Sequence, residues 1–262
     1  MSLFDHHIHS DRSDGRVSLA DRALSVAIRP HGVSDHYPWP SGMQDDDDIL
    51  RYLDDAARLG LQVGIEYDLG IARPLLPSTH KALDYVIGSV HQVNVDGRID
   101  YSPAGSFLKG RGGTGYSEAA RFSDPDLQRK VLEQHLELVR VGILHRGIDI
   151  VGHPTLSPLA ALGDPEDAYP VEWQERLIAL CVENGVALEI NEAYGVPHRE
   201  FLVRAHIRGA RFAVGSDTHF DLLPLDKTDA MIRAAGISPD ERGRFLDGSR
   251  GAQEDVSRAT SS

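Results

Sequence analysis

Apolar residues along the chain fall into two rhythms. Short runs dense in Val, Ile and Leu end abruptly in polar residues: Leu3 to His9, His31 to His36, Leu61 to Glu66, Tyr85 to His91, Ile148 to His153, Val186 to Asn191 and Arg211 to Asp217. Their length and β-branched content predict buried strands. Most are followed by a segment with helical spacing. Ser18 to Ala27 opens with Ser18 and Asp21 in a capping arrangement and carries Leu19, Ala23 and Val26 at helical intervals. Asp48 to Leu59 reads as a second helix, and the acids Asp45 to Asp48 at its start are favoured there by the helix dipole rather than marking a metal site. Asp124-Pro125 opens a long helix to about Val141, with proline at its first position, and Gly185 closes another running from about Val171 to Asn184. Strands alternating with helices predict an α/β chain with a parallel sheet or barrel.

The predicted strand ends are spaced by roughly one βα unit, except that the interval from His91 to His153 is about twice as long. Its first part, residues 94–123, is rich in Gly and polar residues and is expected to be a lid or insertion loop on the barrel face that carries specificity. Within it, Lys109-Gly110-Arg111-Gly112-Gly113-Thr114-Gly115 lacks the Gly-Lys-Ser/Thr ending of a nucleotide-binding loop. Residues 1–247 are expected to form one domain. Residues 248–262, polar and weakly periodic, are expected to be a frayed tail.

Composition narrows the functional classes. The chain has 262 residues and a formal charge of −13, which disfavours a nonspecific nucleic-acid binder because such proteins cluster Lys and Arg against phosphates. No apolar run is long enough to span a bilayer and no signal-peptide core precedes Asp5-His6-His7, so a cytoplasmic protein is expected. The single Cys181 excludes an internal disulfide, and its apolar surroundings make it a core residue without chemistry.

The chemistry sits where the apolar runs end. His7 and His9 stand two apart on a predicted strand, so both imidazoles project to one face. Asp14 follows the first run; His36, Glu66, His91 and His153 terminate later ones; Asp217 and His219 close the last. In a barrel these ends converge on a single cavity. Six histidines and three carboxylates are too many for one ion, which takes three or four protein ligands, and suit three ions if a carboxylate bridges.

Asp5-His6-His7-Ile8-His9, Ser13-Asp14-Gly15, Ser34-Asp35-His36, Gly64-Ile65-Glu66, Gly88-Ser89-Val90-His91, Gly152-His153-Pro154 and Gly215-Ser216-Asp217-Thr218-His219 together resemble the motifs of the polymerase and histidinol phosphatase (PHP) family over about residues 3–220. The resemblance implies a distorted TIM-like (β/α)7 barrel around three divalent ions, Zn, Mn or Fe. It implies one metal on His7, His9, Glu66 and Asp217, a second on Glu66, His91 and His153, and a third on Asp14, His36 and His219. The expected reaction is hydrolysis of a small phosphomonoester by a metal-bridging hydroxide, with Glu66 fixing the metal spacing and Asp217 orienting the nucleophile.

Histidinol phosphate or a related small phosphorylated metabolite is the substrate that the resemblance suggests. The segment Thr155 to Ala161, apolar where a basic residue would grip phosphate, leaves other phosphates and diesters open. Lys109, Arg111, His198 and Arg199 are candidates for phosphate recognition, and Asn191 for contact with substrate or with a residue supporting the metals. The alternatives are an amidohydrolase or deaminase, which also begins with His-x-His but needs fewer ligands, and a metal-stabilised binding module, which would have lost ligands.

Overall fold

The computed structural model describes residues 3–108, 119–163, 168–241 and 243–247. Six parallel strands form one curled sheet: β1 (Val33–Tyr37), β2 (Val63–Asp68), β3 (Tyr85–Ser89), β6 (Ile150–Val151), β7 (Ala187–Asn191) and β8 (Phe212–Gly215), paired in that order. The hairpin β4 (Gln92–Val95) and β5 (Arg98–Tyr101) stands apart from it. Helices α1 (Leu19–Ser25), α2 (Asp46–Arg58), α3 (Pro77–Ala82), α4 (Pro125–Val141), α5 (Val171–Asn184), α6 (Arg199–Ile207) and α7 (Asp226–Ala234) supply the crossovers and the outer layer. This is the α/β architecture that the alternation predicts, in the TIM-like barrel form that the resemblance implies. Among the described residues, no helix is long and apolar enough to cross a membrane.

The local signals act as expected. Ser18 Oγ accepts from the Asp21 N–H at 3.1 Å and caps α1. Asp45 caps α2 through the Asp48 N–H, leaving Asp46 to Asp48 in its first turn. Asp124 caps α4 with Pro125 at its first position, and Gly185 ends α5 at φ 68°, where a side chain would be strained. Between sheet and helices lies the main core, including Val33, Val63, Ile65, Leu177, Phe201 and Phe212. Each such side chain contributes about 1.5–3 kcal/mol on burial.

Two expectations are corrected. Residues 3–9 form no ladder strand: Asp5 and Ile8 make isolated parallel bridges to His31, Val214 and Thr218. The reason is Asp5, whose Oδ1 takes the N–H groups of His7 (3.2 Å) and Ser216 (2.9 Å), donors that strand pairing would otherwise use. The segment still closes the sheet, because it bonds on one side to Gly32 and Ser34 and on the other to Val214 and Thr218. The expected lid also begins with regular structure. Asp96 (φ 55°) and Gly97 (φ 81°) form the two-residue turn of the β4–β5 hairpin, and buried Asp100 receives a two-pronged contact from Arg121 at 2.6–3.0 Å. Residues 109–118 of that excursion and the expected tail from 248 lie outside the described residues.

The two-residue period of the strands explains why chemistry lies at one end. Tyr85, Ile87, Ile150, Ala187 and Ala213 pack together into an apolar plug. Continuing two residues at a time along the same faces leads to Ser89 and His91, to Glu189 and Asn191, and to Gly215 and Asp217. Gly215 has to be glycine, since a Cβ there would lie 1.9 Å from Glu189 Oε1 and 2.7 Å from His7 Cβ.

Candidate metal centre

All nine residues predicted from the strand ends meet at the polar end of the barrel. Glu66, near the end of β2 and 1% exposed, is central. Its Oε2 lies 2.8 Å from His36 Nδ1, 3.3 Å from His7 Nε2 and 3.6 Å from His9 Nε2, while its Oε1 lies 3.0 Å from His91 Nε2 and 3.2 Å from His153 Nε2. Asp217 Oδ1 stands 3.3 Å from His9 Nε2 and 3.8 Å from His7 Nε2. Asp14 is within 3.2–3.7 Å of His219, His36 and His9.

Three groups bring their donor atoms within 4.8 Å of one another: His9, Asp14, His36 and His219; His7, His9 and Glu66; and His36, Glu66 and His91. His9, His36 and Glu66 are each shared, so the groups form one continuous array. His153 and Asp217 join it through the Glu66 and His9 contacts above. His7 Nε2, His9 Nε2, His36 Nδ1 and Glu66 Oε2 are buried and close together, yet none has a hydrogen-bond partner. Buried lone pairs converging without hydrogen-bond geometry fit divalent cations, and the mixed imidazole and carboxylate donors suit zinc, manganese or iron.

The backbone is constrained where it presents these ligands. His153 and Asp217 have φ of 28° and 53°, a left-handed region that non-glycine residues seldom occupy and that tight surroundings must enforce. The Asp217 N–H donates to the His7 carbonyl at 2.7 Å, locking the last ligand loop to the first.

A further ring of side chains aims the ligands. Glu189 Oε1 lies 2.6 Å from His7 Nδ1, and its Oε2 accepts from the His153 N–H and, at 3.2 Å, from Asn191 Nδ2. Asp68 Oδ2 meets His91 Nδ1 at 3.2 Å. Asp35 accepts from the Ser10 N–H, Ser10 Oγ and Ser13 Oγ at 2.6–2.7 Å, and so fixes the loop that carries Asp14. Carboxylates behind metal-binding imidazoles set the tautomer and orientation of the ring. The sequence reading missed Glu189 and Asp68. The usable signal was the strand period: Glu189 is two residues before Asn191, and Asp68 two after Glu66.

A cavity of about 280 Å³ opens over this array, lined by Asp14, Arg16, His36, Glu66, His91, Ala104, Phe107, Tyr194, Asp217, His219 and Phe220. Phe107 packs on His36 (4.2 Å between ring centroids) and His91 (5.1 Å), and Trp39 packs on His36 from outside, so apolar rings screen the ligands from water.

A PHP-domain family model matches residues 5–193. The chain belongs to the PHP family. Among solved structures, that of histidinol phosphate phosphatase from Lactococcus lactis subsp. lactis Il1403, complexed with zinc, L-histidinol and phosphate, aligns at a TM-score of 0.58 and 17% identity over 90% of this chain and 95% of that one. A Listeria monocytogenes protein assigned as a histidinol phosphatase aligns at 0.59 and 16% identity, over 83% and 95%. No curated protein sequence gives a significant match. The likeness to the two structures is one of fold. PHP membership and the ligand array together place the chain among metal-dependent phosphoesterases.

The substrate-binding candidates fare differently in this PHP chain. Asn191 lies behind Asp217, with its Nδ2 3.2 Å from Asp217 Oδ2, and is fully buried, so it positions Asp217 rather than facing the cavity. Arg199 is turned away: its Nε donates to the Ala234 carbonyl and its Nη1 pairs with Glu200. His198 precedes α6 and does not line the cavity. Lys109 and Arg111 lie outside the described residues.

Electrostatics give one measurable consequence. Burial alone would discharge His36 and His91, but Glu66 with Asp14 raises His36 to about 10, and Glu66 with Asp68 raises His91 to about 9. Both pKa values lie above the ordinary 6.5, so the stabilisation that they give the metal-free fold is complete below pH 6.5 and is lost as pH rises toward 9–10. Cations must displace the same protons, so their affinity climbs over that interval. The melting temperature of chelator-treated protein is therefore expected to fall between pH 6.5 and 10, while the increment added by zinc grows. A pH-independent zinc increment would contradict this.

Proposed function

We propose that this PHP protein hydrolyses a small phosphomonoester, with histidinol phosphate the first substrate to test. The observation that carries the reading is the single carboxylate of Glu66 shared among five imidazoles at 2.8–3.6 Å, a bridging position within a nine-residue ligand array. Three divalent cations are proposed, held by His7, His9, Glu66 and Asp217; by Glu66, His91 and His153; and by Asp14, His36 and His219. When bound they supply Lewis acidity toward phosphoryl oxygens and lower the pKa of water.

The chain's own groups do the rest. Burial opposes the charge of Asp217, but His7, His9 and His219 outweigh it and hold the carboxylate ionised well below its usual range. An acid so weakly basic serves better to orient an attacking water than to keep its proton. Asn191 holds the other oxygen of Asp217, fixing the direction from which that hydrogen bond is offered. Glu189 holds His7 and the His153 backbone in register, and the rings of Phe107 and Trp39 keep bulk water from the reacting phosphorus.

The decisive experiment measures phosphate release from a panel of phosphomonoesters, including histidinol phosphate and nucleotides, with zinc or manganese supplied and His9→Ala as control. Release from one compound, lost in the variant, is expected. If verified metal-loaded protein released nothing from any of them, hydrolysis of diesters or amides would replace this reading.

A further inference from the structure

Many of the described arginines are engaged by acids or carbonyls, and Arg16, on the cavity over the ligand array, is not. Arg12, Arg29, Arg121 and Arg176 are ion-paired with Asp55, Asp5, Asp100 and Glu133. Arg22 is spent on the carbonyls of His9 and Phe220. Arg16 lines the cavity over the ligand array, and no described side chain or carbonyl takes a hydrogen bond or ion pair from its guanidinium. Even Asp14, which lines the same cavity, directs its oxygens to His219, His36 and His9. The guanidinium instead lies over the Phe220 ring, 5.3 Å from its centroid, and all five of its N–H donors remain for a ligand.

The support beneath it is rigid. The Arg16 N–H donates to the His219 carbonyl at 2.7 Å, Arg22 Nη2 holds the Phe220 carbonyl at 2.7 Å, and Asp11 N–H bonds to Val17. Gly15 lets this loop lie against the first ligand segment, since a Cβ there would meet Ser10 O at 2.6 Å. Arg16 is thus tied through the backbone to His219, and the backbone of Phe220, over whose ring its charge lies, is held separately by Arg22. A planar cation pre-set in this way, at the mouth of a cavity lined by metal ligands, matches the oxygens of a phosphoryl group.

We propose that Arg16 is the phosphate anchor of the cavity, binding the phosphoryl oxygens of the substrate and the inorganic phosphate left after hydrolysis, with Phe220 as its positioning residue. The assignment rests on the phosphoesterase reading for its biological meaning, but it is tested by binding alone. Inorganic phosphate is titrated calorimetrically into zinc-loaded wild type and Arg16→Ala, with metal content and melting temperature measured on both. Arg16 is exposed, so metal content and melting are expected to hold, while phosphate affinity falls roughly 10- to 100-fold. Arg16→Lys should recover part of the loss as a point charge, and Phe220→Ala should show a smaller loss with the guanidinium present but unguided. With the best substrate from the panel, KM should rise more than kcat falls. Equal phosphate affinity in wild type and Arg16→Ala, or no phosphate binding by the zinc-loaded wild type, would overturn the assignment. If Arg16 governs phosphate binding but wild type hydrolyses nothing, only the hydrolytic reading fails; if turnover is present and affinity unmoved by the variant, only the anchor fails.

Discussion

Glu66→Gln is expected to strip the protein of metal and to reduce turnover by at least about 10²–10³-fold. Both Glu66 oxygens are engaged, Oε2 by His7, His9 and His36 and Oε1 by His91 and His153. An amide presents one acceptor where the carboxylate presents two, and its NH₂ faces imidazole nitrogens that have to act as donors to a cation. Burial opposes the Glu66 charge, yet His36, His7 and His91 hold its pKa well below the usual range, so the surroundings are built around the anion. Without metal, the variant leaves buried imidazoles without their counter-charge, and a loss of about 3 kcal/mol in the stability of the chelated protein is expected. Elemental analysis of the purified variant and chelated melting curves check both halves. Full metal content with ordinary turnover would remove Glu66 from its central role.

Asp217→Asn should behave in the opposite way: fold retained, turnover lower by about 10²–10⁴-fold. Asparagine matches aspartate in shape and tolerates the φ of 53° that position 217 requires. Its side-chain oxygen can still accept from Asn191. What it loses is the negative charge beside His7 and His9 and the second acceptor for an attacking water. The fall should therefore appear in kcat, with KM changed little and the melting temperature of chelated protein within a few degrees of wild type. Undiminished turnover in metal-loaded Asp217→Asn would remove it from the chemistry. The contrast between the variants separates a residue on which the whole centre depends from one that, besides holding a cation, directs attack.

The candidate ligands could be grouped because most of them lie at or just beyond the end of an apolar run. Strand hydrophobicity is a strong local signal, and barrel topology gathers strand ends, so His36, Glu66, His91 and His153 could be grouped without knowing any contact. The first segment was harder. Leu3 to His9 has the composition of a strand, but whether it forms a ladder depends on Asp5 capturing the His7 and Ser216 N–H groups, an interaction spanning 211 positions in the second case. The hairpin at 92–101 was hidden inside a Gly-rich stretch, although Asp96-Gly97 flanked by Val95 and Ile99 is a recognisable two-residue turn.

Residues that recognise rather than ligate were the least legible. Arg199 and Arg16 look alike in sequence, each a cation in a segment that follows a predicted strand. Only the tertiary structure shows one pairing with Glu200 and the other lying on Phe220 over the cavity. Glu189 shows the same limit from the other side: a carboxylate within a strand is usually at the surface, and its burial between His7 and His153 depends on curvature that no local window contains.

The way residues 5–9 are held has a further consequence for the order in which the molecule is made. This segment is synthesised well before Val214, Ser216 and Thr218, so it has nothing to bond on its second side until they have been added. Contacts of such long sequence separation form late, after the closure cost of a very long loop has been met. The nascent chain thus carries His7 and His9 without the surroundings that hold them until the segment around Ser216 has been added. Cation capture at the proposed centre is expected late in folding, as a clasp joining residues 5–9 to the loop that follows β8.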